Sequence, residues 1–587
     1  MKKILVILLS AIALVGCTLE EQVFDSQPST YYQTIPQCKT GLNGCYLPLK
    51  SLYSNKDYFE ACEVATDLMY HTSSSYYDAR CYYTQSLPRV ATNIWTQGYS
   101  GVMRCNAMYA AIERSPLTED EKAPLLAEAV VLRAFYYYIL TINFGDVPYY
   151  FEEVTAENNE KISMLPRMSA TDLRTELMDQ LEYWLLEKQA LPYIKTYDPA
   201  NEYRIGSMVG LTIAGKLAMW NKRFDRAIKF FAPIEQVYAP VSEDGYYNPQ
   251  DALNGYDLKD VMFRNRYTPE SIFELPGYAK DYGLRVTHKL AAYCTPRRTS
   301  TADETAADES DEDYFEEDGV DYSQKDDIYD GIRIPELGVN ARTSTPYRPT
   351  YYMWKTLMPY NVADKRRAVY DPVQATKDQN SPDEALIEGG AGWLAWCYKG
   401  WNDTTVDINT SDNPAGVYFF SKVKSAAGEP YLGDKFWCPG MVYQQDSNNL
   451  KIFRFAHVVL DLAEANMRVG NWDAAFGYLN APKVRAGRPQ EDLKGGHQDD
   501  VTFMKDLQEE SARELFGEFT RRHNLVRWGI WYDQVVNYAK YATDAKDCPI
   551  IEYVKEGPCR EYYPIPDQQI ILSNYNLSNP EYDKYGL

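Results

Sequence analysis

The sequence contains little histidine and few basic residues, and it lacks the short motifs of common hydrolases. Its 587 residues include five His, and 60 Lys and Arg stand against 83 Asp and Glu, a formal net charge of −23. Phosphate contacts need Lys and Arg, so this balance argues against a nucleic-acid-binding protein. The patterns Gly-x-Ser-x-Gly, His-Glu-x-x-His, the phosphate-binding loop and a zinc-type Cys-x-x-Cys are all absent.

Residues 1–17, MKKILVILLSAIALVGC, have the organisation of an export signal. Lys2 and Lys3 form its charged segment, and Ile4–Val15 form an apolar segment that is too short to span a bilayer comfortably. The end of the segment resembles a bacterial lipobox, so we expect residues 1–16 to be removed and Cys17 to be lipidated. Several acyl chains on one Cys anchor a protein durably. The alternative is an ordinary secretory signal that contains a Cys.

The strongest helical pattern lies in Ala127–Tyr150. Its apolar residues recur at helical spacing and form one stripe: Ala127, Val131, Ala134, Phe135, Tyr138 and Ile142. Gly145 is expected to end this helix, because Gly tolerates a left-handed backbone, and Pro148 prevents the helix from resuming. Pro124 is predicted at the start of the helix, where its missing N–H costs nothing.

Two segments far apart in the chain match each other, Arg204–Gln236 and Ala465–Phe476. The paired positions are Met219 with Met467, Lys222 with Gly470, Phe224 with Trp472, Asp225 with Asp473, and Ala227 with Ala475. Each indicates a tetratricopeptide-type hairpin of two helices. Between about 271 and 449 the helical periodicity fades and turn residues become frequent. The predicted fold is therefore mostly α, with a helical scaffold over residues 30–270 and 450–587 and a loop-rich insertion over about 271–449.

Several strings then carry a family resemblance. They are LRAFYYY at 132–138 with FGDVP at 144–148, RFAHVVLDLAEA at 454–465, RELFGEFTRRHNLVRW at 513–528 and YPIP at 563–566. Together they resemble the SusD/RagB family of outer-membrane nutrient-binding lipoproteins of Bacteroidetes-type bacteria. The chain departs from the family pattern at Pro482 and at Asn524, where the family usually has Asp, and the insertion is unmatched. Glu20 and Glu21 resemble the family's surface-export signal.

This resemblance implies a protein anchored on the cell-surface side of the outer membrane that captures oligomers, mostly glycans. It also implies a partner, a SusC-type TonB-dependent transporter that imports the ligand. The family places a ligand-contacting loop in the region Glu60–Tyr83, often with an Asp and an Arg. The candidate ligand contacts there are Asp67, Tyr76, Tyr77, Asp78, Arg80, Tyr82 and Tyr83. The alternative is an ordered loop that packs its Tyr side chains against the scaffold.

A second group of candidates lies in the insertion, within GWLAWCYKGW. Trp393, Trp396, Tyr398 and Trp401 fall within nine positions. A pyranose ring has an apolar C–H face that packs on an aromatic face, so such a cluster indicates a sugar-binding platform. The alternative is a small core for the insertion. By contrast, Arg366 and Arg367, and His457 and His523, are expected in structural ion pairs and in packing, respectively.

The sequence leaves open whether the protein binds a metal ion and whether it contains disulfide bonds. No cofactor is expected, although Asp303–Asp330 holds fourteen Asp and Glu against one basic residue, Lys325, and could bind structural Ca²⁺. The EF-hand spacing is absent, so a solvated loop is the alternative. Export permits disulfides, and Cys38 with Cys45 and Cys548 with Cys559 are close enough in sequence to pair, or every Cys is free.

The sequence therefore predicts a binding protein rather than an enzyme. The rival interpretation is a surface glycoside hydrolase, which needs two placed carboxylates that 83 acidic residues could supply by chance. A third possibility keeps the fold and changes the ligand to a peptide, as in some relatives. The Trp cluster favours a glycan.

Overall fold

The structure is a computed structural model, and it describes most of the helical part of the chain. The described residues are 31–71, 89–192, 204–240, 247–277, 288–295, 346–359, 362–370, 391–398, 431–438, 445–493, 498–540 and 557–583, with short stretches at 298–299, 328–329, 386–388, 417–418, 441, 548 and 550–554. The export signal, Cys17 and most of Asp303–Asp330 lie outside these ranges, so lipidation and calcium binding stay predictions.

The described residues form a mostly α fold, as predicted. The longer helices are α1 Ile35–Ser54, α2 Arg89–Glu113, α3 Glu119–Phe144, α4 Ala170–Glu182, α5 Ser207–Trp220, α6 Phe224–Tyr238, α7 Phe455–Arg468, α8 Trp472–Arg485, α9 Asp500–Glu514, α10 Arg521–Trp528 and α11 Trp531–Tyr538. Short α-helices occupy Lys56–Phe59, Asn159–Ser163, Leu290–Cys294, Ile550–Val554, Asp567–Leu572 and Pro580–Asp583, and π-helical turns occupy Glu60–Val64, Tyr183–Glu187 and Tyr352–Leu357.

The strands are short and lie mainly in the predicted insertion. They are β1 Met69–His71, β2 Ser271–Leu275, β3 Arg298–Thr299, β4 Ile328–Tyr329, β5 Tyr347–Pro349, β6 Ala368–Tyr370, β7 Leu386–Glu388, β8 Leu394–Tyr398, β9 Val417–Tyr418, β10 Tyr431–Leu432 and β11 Leu450–Arg454. One sheet has the order β10-β8-β6-β7, with β9 also paired to β8. Strands β2 and β11 pair antiparallel, so the chain leaves the scaffold and returns to it at the same place.

Helix α3 is the core of the scaffold, and it differs from the prediction in two ways. Its residues from Leu125 to Phe144 are all buried, so neighbouring helices cover every face rather than one stripe. The helix begins at Glu119, where Thr118 and Glu121 form a capping box, so Pro124 lies inside the helix rather than at its start. Gly145 ends the helix with φ 71°, as predicted. The helix is apolar and long enough to cross a membrane, but its most apolar window is 100% buried in the fold.

The two matched segments both form helix hairpins, α5 with α6 and α7 with α8, and α6 packs against α7. Lys222 has φ 55° and Gly470 has φ 82°, so the matched turn positions share the left-handed backbone. Ala227 and Ala475 are both fully buried at the matched small-residue position. The internal match in the sequence therefore corresponds to a repeated local structure, while its tetratricopeptide character stays a prediction.

A buried network of ion pairs joins the insertion to the helical scaffold. Arg366, from the insertion, lies 2.8 Å from Asp364, 2.7 Å from Glu510 and 3.1 Å from Glu514. Glu514 also pairs with Arg454 at the end of β11, at 2.8 Å. All of these side chains are at most 1% exposed. The prediction of a structural ion pair is thus right for Arg366, while Arg367 donates to the Pro359 carbonyl.

A bridge between Cys38 and Cys45, one of the alternatives that the sequence left open, does not fit the structure. Both residues lie on α1, and both are buried. A helix rises about 1.5 Å per residue, so positions seven apart are about 10 Å apart, beyond the roughly 7 Å limit for the Cα atoms of a disulfide. The side chain of Cys559 lies outside the described residues, so the pairing with Cys548 stays a prediction.

Two glycines on neighbouring helices predict opposite effects of the same substitution. A Cβ on Gly101 of α2 would lie 2.2 Å from the ring of Tyr136, so Gly101→Ala is expected to cost about 1–3 kcal/mol through overpacking. A Cβ on Gly44 of α1 meets only Arg104, at 3.6 Å, so Gly44→Ala is expected to gain about 0.5–1 kcal/mol through helix propensity. Denaturant unfolding measures both changes, and equal effects of the two substitutions would contradict this packing.

The ion-pair network predicts a loss of stability in acid. Burial alone raises the pKa of Asp364 and Glu510, but Arg366 outweighs it and lowers both to about 2, from 3.8 and 4.5. Because these pKa values are lower in the folded state, their stabilisation is present above about pH 4.5 and is lost as the pH falls towards 2. The loss is on the order of 2–3 kcal/mol for each carboxylate.

Thermal or denaturant unfolding between pH 7 and pH 2 checks this prediction, with Glu510→Gln as the control. That variant lacks one of the titrating groups, so it should be less stable at pH 7 and lose less stability between pH 4.5 and pH 2. A wild-type stability that does not change below pH 4.5 would contradict the network.

Candidate functional site

The first candidate region begins with β1, and a buried ion pair holds its base. Asp67 is fully buried, and its Oδ1 and Oδ2 accept hydrogen bonds from Arg521 Nε at 2.8 Å and Nη2 at 2.6 Å. Gln534 Nε2 donates to Oδ2 at 3.0 Å. The prediction that Asp67 contacts a ligand is therefore wrong, because its carboxylate is committed to Arg521 and has no access to solvent.

Strand β1 is also fixed on its other side. Met69 pairs with Pro349, Tyr70 with Arg348 and His71 with Tyr347 of β5. The amide of Thr350 donates to the Leu68 carbonyl at 2.9 Å, just before the strand. The position and direction of β1 up to His71 are thus set by β5 and Thr350 of the insertion. The candidates Tyr76, Tyr77, Asp78, Arg80, Tyr82 and Tyr83 follow at once, outside the described residues, so their roles stay predictions.

Glu63 adds a third attachment at this base. Its carboxylate accepts backbone N–H groups of Gly517 at 3.2 Å, Thr520 at 2.8 Å and Arg521 at 3.2 Å, at the start of α10. Burial raises the pKa of Glu63 to about 7, although these three hydrogen bonds act in the opposite direction. Through Glu63, the π-helical turn Glu60–Val64 is therefore hydrogen-bonded to the segment 517–521, which also supplies the Arg521 side chain that pairs with Asp67.

Aromatic side chains that sequence reasoning did not single out lie beside this base. The rings of Tyr352 and Tyr538 are 4.3 Å apart and inclined by 31°, and those of Tyr351 and Trp354 are 5.2 Å apart. Tyr538 is 40% exposed, whereas Tyr352 is buried behind it. The pKa of Tyr352 is raised mainly by burial and next by the nearby Asp67 carboxylate. The Tyr352–Tyr538 pair therefore lies close to the Asp67–Arg521 ion pair. The only sequence signal for this aromatic group was the doublet Tyr351-Tyr352. With 51 Tyr residues in the chain, nothing in the sequence distinguished this doublet from the others.

Of the four aromatic residues in the predicted Trp platform, the structure describes the side chain of Trp393 alone. Trp393 is fully buried and packs with Leu258, Val261, Met262 and Ala391. Lys435 Nζ lies 3.9 Å from the centre of its ring. Trp393 is therefore buried between the insertion and the scaffold segment 258–262, and its prediction as a ligand contact is wrong. Trp396 and Tyr398 lie on β8, but their side chains, like all of Trp401, are outside the described residues, so these three stay predictions.

An open groove of about 420 Å³ lies elsewhere, between the α5–α6 turn, α7, α9 and α10. Glu464 in this groove binds Arg527 at 2.7 Å and accepts from Trp528 Nε1 at 3.0 Å. Arg468 pairs with Asp500 at 3.1 Å. The polar groups of the groove are thus largely paired with one another. No cluster of His, Cys, Asp and Glu that could hold a metal occurs among the described residues.

The base of the candidate loop yields a stability test for Asp67. Asp67→Ala leaves the buried guanidinium of Arg521 without its carboxylate, so we expect a loss of about 3–5 kcal/mol in the free energy of unfolding. Asp179→Ala is the matched control, because Asp179 pairs with Arg226 while its side chain is 60% exposed, and it should cost less than about 1 kcal/mol. An Asp67→Ala protein of unchanged stability that fails to bind ligand would instead assign Asp67 to the ligand.

Residues 400–582 match the sequence model described as "SusD family", and residues 20–192 match one described as "Starch-binding associating with outer membrane". The chain is 22% identical over 454 residues to SusD-like protein P25 of Formosa agariphila, covering 76% of this chain and 71% of that protein.

Solved structures share the fold over nearly the whole chain. A SusD-like protein from Bacteroides fragilis superposes with a TM-score of 0.62 at 16% identity, covering 95% of this chain and 99% of that one. Surface glycan-binding protein A from Bacteroides thetaiotaomicron, solved in complex with laminarihexaose, gives 0.59 at 17% identity, covering 93% and 99%. A SusD superfamily protein from Bacteroides vulgatus gives 0.59 at 17%, covering 93% and 98%.

Proposed function

Since the chain belongs to the SusD/RagB family, we propose that it is a cell-surface lipoprotein that captures glycans and delivers them to a SusC-type TonB-dependent transporter. The observation that carries this proposal is that both ends of the chain match models of this family while the fold matches its solved members. The protein acts by binding and performs no chemical step on the ligand.

Anchoring follows from the sequence of residues 1–17 together with the family. Cys17 carries the lipid, and the mature chain stands on the outer membrane facing the exterior. The acidic body is soluble and is not attracted to anionic lipid, so attachment rests on the acyl chains. The described part of the chain adds only the buried helix α3 as a candidate span, which belongs to the core.

The ligand class follows from the relatives and from the aromatic side chains at the base of β1. One structural relative holds laminarihexaose, and another is named a laminarin-binding protein. Tyr538, partly exposed and packed against Tyr352, offers a face for the C–H groups of a sugar ring. A net charge of −23 repels anionic polymers over distances up to the screening length. We therefore favour neutral oligosaccharides.

The test must also distinguish two rival functions, peptide binding and glycoside hydrolysis. A peptide ligand would use the same aromatic faces, and some family members bind peptides. A surface glycoside hydrolase would need two carboxylates about 5–10 Å apart at the ligand. Asp67 is excluded from that role by its buried ion pair with Arg521.

The test is binding of the lipid-free chain, residues 18–587, to a panel of neutral and anionic oligosaccharides and to a peptide pool. We expect saturable binding to a neutral glycan class, with the ligand recovered intact. Tyr538→Ala should weaken it about tenfold, because one aromatic–sugar contact is worth about 1.4 kcal/mol. Tyr575→Ala is the matched control, since Tyr575 is 71% exposed beside the C-terminal helix. Trp393→Ala is unsuitable, because this side chain is buried.

Each outcome of this panel decides one part of the proposal. Equal binding by the wild type and Tyr538→Ala would remove the ligand from the base of β1, and variants of Trp396 and Trp401 would then be compared. Binding only to peptides would overturn the ligand class and leave the fold unchanged. Release of shortened oligosaccharides would overturn the assignment as a binding protein.

A further inference from the structure

Two cysteines face each other where helices α1 and α2 cross. The guanidinium Nη1 of Arg104 on α2 donates to the Gly44 carbonyl on α1 at 3.3 Å. One turn away, a Cβ on Gly41 would lie 2.5 Å from Met108 Sδ, so the backbone of α1 lies directly against α2 there. Numbers rise along one helix as they fall along the other, so the helices run antiparallel. In this register Cys45 and Cys105 lie at the same level of the crossing, offset by only one or two residues along the helix axes.

The side chains confirm this register. Cys45 and Cys105 are both fully buried, and after burial itself Cys45 is the group that most raises the pKa of the Cys105 thiol, so the two side chains lie close together. Tyr136 of α3 lies beside them and donates its hydroxyl to the Cys45 carbonyl. Gly41, against Met108 of α2, and Gly101, against Tyr136 of α3, allow the three helices to approach closely in this region. Cys38, on the same helix as Cys45, lies two turns away and cannot reach it.

We propose that Cys45 and Cys105 form a disulfide in the exported protein. The bridge forms by exchange with a disulfide-bonded donor, either a small-molecule disulfide or a protein of the export pathway. One thiolate attacks the donor, and the second Cys then displaces it, so one S–S bond forms in this chain as one breaks in the donor. The two protons and two electrons leave with the donor as two thiols.

Burial decides when this exchange takes place. The thiolate is the attacking species, and burial raises the pKa of the Cys105 thiol well above its usual value. In the folded, reduced protein both sulfur atoms are also out of reach of a donor. The bridge therefore forms while the chain folds after export, before α1 and α2 close on each other.

The bridge would close the segment 46–104, which contains the candidate ligand loop. The chain enters this segment from α1 and leaves it through α2, so the bridge links the two helices that hold both ends. Cross-linking stabilises mainly by restricting the unfolded chain, and more so for a long closed segment. The inference rests on the export that the proposed function requires, and it does not depend on the ligand.

Peptide mapping of the full chain produced with its own signal tests the bridge. The exported protein is denatured, alkylated without reductant and digested. We expect a Cys45–Cys105 peptide pair whose mass is two hydrogens below the sum of its parts and which separates on reduction, while Cys38 is recovered alkylated. Recovery of Cys45 and Cys105 alkylated, or joined to other cysteines, would overturn the proposal.

A second measurement uses variants and needs no digestion. A thiol reductant should lower the Tm of the wild type and of Cys38→Ala by a few degrees, and should not change the Tm of Cys45→Ala or Cys105→Ala. An equal effect of reductant on all four proteins would overturn the assignment. Glycan binding by the same samples is read separately, so a missing bridge and a missing ligand are told apart.

Discussion

The carboxylate of Glu514 is where the separate parts of this protein meet. It pairs with Arg366 of the insertion, with Arg454 at the end of β11 and with Arg485 of α8. Arg454 in turn pairs with Glu270, just before β2, and with Glu518, which also holds Lys435 of the insertion. Buried charges are tolerated only when they are paired, so each of these segments requires the others to be in place.

This requirement explains how a large, loop-rich insertion is kept in register with a helical scaffold. Its chain ends are joined by the β2–β11 pair, and its interior is held by Arg366 and Lys435. Lys435 lies over the ring of Trp393, so the small apolar cluster that Trp393 forms with the scaffold residues Leu258, Val261 and Met262 is attached to the same network. Burial lowers the pKa of Lys435 to about 8, and Glu518 opposes this shift by favouring the charged form.

The candidate ligand region uses the same device on a smaller scale. Arg521 and Glu63 fix the segment before β1, and β5 fixes the strand itself. Binding residues on loops gain affinity when a rigid base limits the entropy lost on binding. The charged groups closest to β1 are therefore committed to holding this base, whereas Tyr538 presents a partly exposed aromatic ring beside it.

Much of the scaffold could be read from local pattern. The stop at Gly145 and the two matched hairpins were predictable, because helical periodicity and helix-ending residues can be recognised within short stretches of sequence. His457 and His523 are buried between helices, as expected. Pro124 was misplaced because the cap at Thr118 lies upstream of the apolar stripe that marked the helix.

The sequence by itself therefore determined the helical class, the hairpin repeats and the family. Motifs and periodicity are local properties of the sequence, so they can be recognised without knowing which residues are in contact. Only the tertiary structure decided which polar and aromatic residues are available to a ligand. Asp67 meets Arg521 from 454 positions away, Trp393 is covered by residues near 260, and Cys45 faces Cys105 rather than Cys38. Burial and pairing are set by long-range contacts, and a local sequence pattern does not show which distant segment will pack against it.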